Sequence, residues 1–202
     1  MTSDTTVFEI HLTLDASQAD DIELARRWTA ESGLKWTEIE LSRGDHPQQP
    51  MITFWGQETL ESQHDRAAEI QRGLASLGIR IVRVKIEVGS TEALSAAPGQ
   101  YFETHVKLRL TSAENRRAVH RVAETESAHI SRNARRVLDD GTEERFLTQR
   151  SYTCSGFEAA VKQQELLEAV SAAGLNVMEV ESEFVIFDSN IGLDRGWEVS
   201  DV

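Results

Sequence analysis

Phe8-Glu9-Ile10-His11-Leu12-Thr13-Leu14 returns 94 positions later as Phe102-Glu103-Thr104-His105-Val106-Lys107-Leu108. Four of the seven residues are identical, and Leu12 is exchanged for the similar Val106. A repeat at this distance in a chain of 202 residues implies two copies of one unit. Alternating apolar and polar residues make the stretch a half-buried strand in each copy.

The elements that follow recur in the same order. In the first copy the pattern predicts a strand over 7–14 and a helix over 17–32, capped by Ser17. A strand over 34–41, a proline-bearing loop over 42–50 and a strand over 51–55 come next. A helix over 59–77 carries the stripe Leu60, Ala67, Ile70, Leu74 and Leu77 and stops at Gly78, and a strand over 79–88 closes the copy. In the second copy the expectations are a strand over 101–110, a helix over 112–124 and a strand over 128–137. A turn at Asp139-Asp140-Gly141 leads to a strand over 145–152, then a helix over 155–173 with Phe157, Val161, Gln164, Leu167 and Val170 on one face. Gly174 stops that helix, and a strand over 177–187 ends the copy. The expected organisation is a first half over 1–88, a linker over 89–100, a second half over 101–187 and a tail over 188–202.

Two βαββαβ units in tandem imply an α+β protein, a duplicated ferredoxin-like fold with pseudo-two-fold symmetry. Its antiparallel sheets either stay open or close into a wide barrel. Strand parity then sorts the residues. Phe8, Ile10, Leu12 and Leu14 face the helices, which turns Glu9, His11 and Thr13 to the other face. The same count turns out Glu103, His105, Lys107 and Arg109, then Arg83, Lys85 and Glu87, then Glu179, Glu181 and Glu183. Such stripes are either cross-strand ion pairs facing solvent or the lining of a ligand cleft. The return of Glu-x-His at polar-facing positions favours the cleft, because solvent does not ask for one residue twice.

The formal net charge of −13 argues against general nucleic-acid binding and against anionic membranes. From His105 to Arg150, however, ten Lys/Arg stand against seven Asp/Glu. Arg132, Arg135, Arg136 and Arg145 concentrate there, which offers an alternative reading: a non-catalytic module that recruits an acidic partner or dimerises. No stretch approaches the ~18 apolar residues of a membrane span and no leader pattern opens the chain, so the expected location is cytoplasmic. Cys154 is the only cysteine, which excludes an intrachain disulfide.

His11-Leu12-Thr13-Leu14 resembles the His-x-Thr/Ser-x motif of the two-histidine phosphoesterases, bilobal enzymes with one motif per lobe. The resemblance implies that His11 and His105 are the general acid and base on a phosphodiester or cyclic phosphate, with Thr13 a phosphate ligand. Lys107 departs from the motif where a hydroxyl belongs, and a lysine can serve there as a point charge. Glu103-Thr104-His105-Val106-Lys107 is similar to the opening Glu-x-Glu-x-Lys strand of the triphosphate-tunnel phosphatases, with His105 in place of a glutamate. By that resemblance Glu179, Glu181 and Glu183 would hold a divalent metal, with Mg²⁺ the candidate and the cofactor otherwise open.

The expectation is therefore binding, and at its furthest reach hydrolysis, of a small phosphorylated ligand between the halves. His11 and His105 stand at the centre, Thr13, Lys107, Arg109, Arg83 and Lys85 on the ligand, and Glu9 and Glu103 orient the histidines. The stretch from Arg43 to Met51 reads as a rigid connection, and Asp188 to Asp194 as a turn that docks Leu193 and Trp197. Substrate and oligomeric state are not written in the sequence.

Overall fold

The computed structural model describes residues 6–134, 138 and 141–196. Eight strands and four helices follow one another as β1 (Phe8–Leu14), α1 (Ala19–Glu31), β2 (Lys35–Leu41), β3 (Gln48–Gly56), α2 (Leu60–Ala75) and β4 (Ile81–Gly89). The second copy continues with β5 (Tyr101–Leu110), α3 (Ala113–Thr125), β6 (Ala128–Asn133), β7 (Glu143–Tyr152), α4 (Gly156–Ala172) and β8 (Asn176–Asp188). The strands close into one antiparallel barrel in the order β1-β3-β2-β6-β7-β5-β8-β4. Each copy contributes a ferredoxin-like run, β4-β1-β3-β2 and β8-β5-β7-β6. The seams β4·β8 and β2·β6 join them edge to edge.

The duplicated α+β fold is thus present, with its two sheets fused into a single wall. Closure satisfies the sheet edges that two separate four-stranded sheets would expose. Helix-facing residues of the strands pack beneath the helices in two clusters, one per copy. Ile10, Leu12, Ile52 and Ile86 meet Ala67, Ile70 and Leu74 of α2. Val106, Leu108 and Leu147 meet Val119 of α3 and Leu166 and Val170 of α4.

Local chemistry explains where the expectations shift. Ser17 does not cap α1: Gln18 occupies that position, and the Ser17 N–H is held instead by the Asp15 carboxylate. Thr59, Ser112 and Ser155 do cap their helices, each accepting from the N–H three residues on. Gly78 and Gly174 follow the ends of α2 and α4 with φ of +81° and +66°, the left-handed region that lets the chain turn back. β3 begins at Gln48 inside the expected loop. Pro50 is tolerated because the β1 ladder ends at Met51, leaving β2 as its partner. Leu60 and Leu77, at the two extremes of the expected α2 stripe, are exposed.

In α4 the buried face is Gly156, Ala159, Leu166 and Val170, while Phe157 and Val161 point to solvent. Close approach sets that rotation. A Cβ at Gly156 would lie 2.0 Å from the Thr91 carbonyl oxygen, and Ala159 packs on Phe102 and Phe184, so only the small-residue side fits against the linker. Arg135 to Val137, Asp139, Asp140 and Trp197 lie outside the described residues. Among the described residues no helix is long and apolar enough to cross a membrane.

Candidate ligand cavity inside the barrel

The polar faces of the strands point inward and line a cavity of about 240 Å³. Both histidines of the repeat reach it, as do Glu9, Thr13, Arg83, Lys85, Glu103, Arg150, Glu181 and Glu183. The members of the charged stripes that reach this cavity are therefore neither solvent-facing nor core in the ordinary sense. They form the inner wall of a closed barrel.

The two copies build the same constellation around their histidines. His11 lies across from Thr53 on the neighbouring strand, with Nδ1 to Oγ1 at 2.8 Å; His105 lies across from Thr148 at 2.9 Å. The opposite ring atom faces two carboxylates in each case. His11 Nε2 is 2.9 Å from Glu87 and 3.6 Å from Glu9, and His105 Nε2 is 3.2 Å from Glu183 and 3.4 Å from Glu103. Register proves the equivalence: Glu9 stands across from Glu87 as Glu103 stands across from Glu183. A threonine on one nitrogen and carboxylates on the other fix each ring's orientation.

Next to these quartets the copies diverge. His11 is paired with Lys85 where His105 is paired with Glu181, and Thr13 with Arg83 where Lys107 is paired with Glu179. What results is a chain of alternating charge through the interior. Asp188 holds Arg83 at 2.5 Å, Arg83 holds Asp194 at 2.8 Å, and Asp194 holds Arg150 at 2.9 Å. Arg150 then meets Glu103 at 2.5 Å, Glu103 meets Lys85 at 2.7 Å, and Lys85 meets Glu87 at 2.5 Å beside His11. Arg83, Lys85 and Arg150 are each shared by two carboxylates, so the deepest cations of the cavity are already neutralised. The Tyr101 hydroxyl donates to Asp188 at 2.6 Å and accepts from Arg83 at 3.0 Å.

Burial and these partners move the titrations. Burial opposes the charge on His105, yet Glu103 and Glu183 outweigh it and lift the imidazole to about 10. At neutral pH His105 is a cation and a donor, with no base character to offer. Burial lowers His129, and the nearby Arg150 and Arg43 lower it further, so this ring on β6 is neutral. Burial works to raise Glu87, but Lys85 and His11 hold it down at about 2; Glu103 is held low against the same penalty by Arg150 and Lys85. Glu183 is raised by burial and by Glu87.

An acid-side prediction follows from Glu87 and Glu103. Groups depressed in the folded state contribute stability that is complete above their unfolded value, near 4.5, and is lost as pH falls through the folded value, about 2 for Glu87. Urea midpoints should therefore fall from pH 4.5 downward. Glu87→Gln, which removes one such group, should flatten that limb; an acid limb identical to that of the unsubstituted protein would show that Glu87 does not titrate there.

Other expected site residues fall differently. Lys107 and Arg109 share the inward parity but do not line the cavity: Lys107 lies 3.6 Å from Glu179 and 3.8 Å from Glu144, and Arg109 donates to Thr142 at 3.3 Å. Glu179 is largely exposed and stands apart from the other two members of its row. Glu181 and Glu183 converge instead with Glu9, their ligand atoms all within 4.8 Å, and Glu103, His105 and Glu183 form a second such group. The all-carboxylate set suits a divalent cation in type of donor, whereas His105 would have to give up its proton before the second set could. In the arginine-rich segment, Arg132 pairs with Glu40 at 2.5 Å, and Arg116 and Arg145 both pair with Glu143. Those charges are spent within the chain. Cys154 is half-buried after β7, with burial pushing its thiol up.

Sequence reading missed Thr53, Thr148, Tyr101, Arg150, Asp188 and Asp194. For Thr148 and Arg150 a signal existed, since they alternate on β7 opposite His105 and Glu103. For the two aspartates none did.

No protein-family model matches the chain, and no curated protein matches it. Among solved structures, a candidate monooxygenase from Lactobacillus acidophilus aligns at TM-score 0.35 and 13% identity, over 97% of this chain and 100% of that one. A candidate monooxygenase from Fusobacterium nucleatum aligns at 0.35 and 6%, over 98% and 99%. A haem-binding protein from Thermus thermophilus aligns at 0.29 and 11%, over 90% and 91%. At these scores the likenesses carry no argument about this chain's chemistry.

Proposed function

We propose that the barrel binds a small phosphorylated ligand between its two histidines, with hydrolysis the reaction the site is equipped to add. The observation that carries this reading is that His11 and His105, from separate copies, line one cavity, each ring held between a threonine and a carboxylate pair. His105, a standing cation, suits an anionic oxygen as a charge-assisted donor. His11, between Glu87 and Glu9, is the group placed for proton transfer. Glu9, Glu181 and Glu183 would hold a divalent cation, whose charge would offset that of the phosphate beside so many carboxylates.

The test is a panel of nucleotides, cyclic phosphates and polyphosphate, assayed for binding and turnover with and without Mg²⁺. Binding of at least one member, stronger with Mg²⁺, is the expected result. A panel that neither binds nor turns over under either condition removes the reading.

A further inference from the structure

The segment after β8 does more than end the chain. Ser189 and Asn190 continue along β4 where its ladder with β8 ends at Lys85 and Asp188: the Ser189 N–H donates to the Val84 carbonyl at 3.0 Å, Ser189 Oγ accepts from the Val84 N–H at 2.8 Å, and Asn190 Nδ2 donates to the Val82 carbonyl at 3.0 Å. A short 3₁₀ turn, Ile191–Asp194, then bends inward, and the Arg195 carbonyl accepts from the Asp45 N–H at 3.0 Å. This strap separates two spaces. Asp194 lines the barrel cavity, whereas Asn190 and Leu193 line a surface pocket on the other side. Thr13 and Gln49 line both. The strap is thus a partition at one end of the barrel.

Its tip occupies a site that is built for an anion. Asp194 Oδ2 receives Arg83 Nη1 at 2.8 Å and lies 2.9 Å from Arg150 Nη2, and Oδ1 receives Gln49 Nε2 at 2.7 Å. Both guanidiniums are almost wholly buried, 4% and 6% exposed. Were Asp194 to leave, Arg83 Nη1 and Arg150 Nη2 would lose the acceptor they now share, and an anionic oxygen is the acceptor that suits two charged, buried donors. Arginine forks favour tetrahedral oxyanions and carboxylates alike. Arg83 and Arg150 would keep Asp188 and Glu103 respectively, so the incoming anion replaces only the third carboxylate, the acceptor that Asp194 now provides.

We infer that Asp194 is a built-in stand-in for an anionic ligand group, and that the strap from Ser189 to Gly196 is a plug displaced when a phosphate takes its place between Arg83 and Arg150. This rests on the reading of the barrel as a ligand cavity and adds where a phosphate would sit and what must leave first. It also explains how an interior whose deepest cations are already matched could admit an anion at all.

The experiment uses the full chain in EDTA, with inorganic phosphate as the probe, and follows binding by calorimetry. Asp194→Ala should bind phosphate at least tenfold more tightly than the unsubstituted protein, since two charge-assisted bonds become available without displacement. Adding Arg83→Ala to it should abolish the gain. In the unsubstituted protein, saturating phosphate should speed amide exchange at Asp45 and at Leu193 to Arg195 as the strap lifts. Folded Asp194→Ala with unaltered phosphate affinity overturns the inference. Should that variant not fold, the exchange measurement decides, and amides unmoved by phosphate overturn it. Because neither readout involves an ester or a divalent cation, a protein that hydrolyses nothing can still pass this test. One that hydrolyses esters can still fail it.

Discussion

Glu103→Ala is expected to cost about 3–5 kcal/mol of folding stability, the range for removing one partner of a buried ionic group. Glu103 is 1% exposed and sits where the charge chain branches, touching Arg150, Lys85 and His105. Deleting it leaves three cationic groups facing one another with Asp194, Glu87 and Glu183 as their remaining partners. Water offers Lys85 and Arg150 little compensation, because their side chains are only 13% and 6% exposed. A substitution that removes charge on both sides should be milder than the single one. Glu103→Leu combined with Lys85→Met should recover part of the loss, since an apolar replacement of a matched pair omits the stranded charge. Urea midpoints on the three variants make the comparison. A cost for Glu103→Ala no larger than the ~1 kcal/mol of an exposed pair would mean that water reaches this network.

The second large effect separates the histidines by role. With a substrate identified from the phosphate panel, His11→Ala should lower kcat by about 10²–10⁴, the range for a general acid or base. His105→Ala should instead act mainly on binding. Loss of a charge-assisted bond of roughly 1.5–3 kcal/mol raises KM by about ten- to a hundredfold. The asymmetry follows from the cross-strand partners: Lys85 stands beside His11 and holds Glu87 at about 2, whereas Glu181 stands beside His105, which Glu103 and Glu183 hold protonated to about 10. Equal losses in kcat from both variants would contradict that division of labour. Turnover unaffected by either would remove both residues from the reaction.

Much of this was legible from one repeat. Alternation places His11, Arg83 and Lys85 on the polar face of the first copy and His105, Glu103 and Glu183 on that of the second, and closure of the barrel is what makes the two faces one lining. The partners of the histidines were harder to see. Glu103 and Glu183 are two residues further apart in the chain than Glu9 and Glu87, so Glu87 corresponds to Glu183 and not to the residue 94 positions on. A fixed offset therefore passes over the match. Thr53 sits in an apolar strand, Met51 to Trp55, where a hydroxyl draws no attention. Closure of the barrel was open in the sequence because the seam between β2 and β6 consists of three residue pairs, Ile39 to Asn133, Glu40 to Arg132 and Leu41 to Ser131, with no shared pattern. Asp188 and Asp194 have the composition of an ordinary turn. Only the fold reveals that the turn bends into a cavity and that its acids meet arginines from sequence positions far away.

The route of the charge chain carries one more implication. It passes from Asp188 of the second copy to Arg83 of the first, returns through Asp194, Arg150 and Glu103 of the second, and ends on Lys85 and Glu87 of the first. A barrel assembled from two identical, unlinked subunits would be obliged to place the same residue at both equivalent positions, a lysine twice or a glutamate twice where Lys85 and Glu181 now differ. Like would then face like across the axis. Covalent fusion lifts that symmetry constraint, because each site mutates alone. Unlike charges at equivalent positions, Lys85 in one copy and Glu181 in the other, are a property that two identical subunits could not acquire.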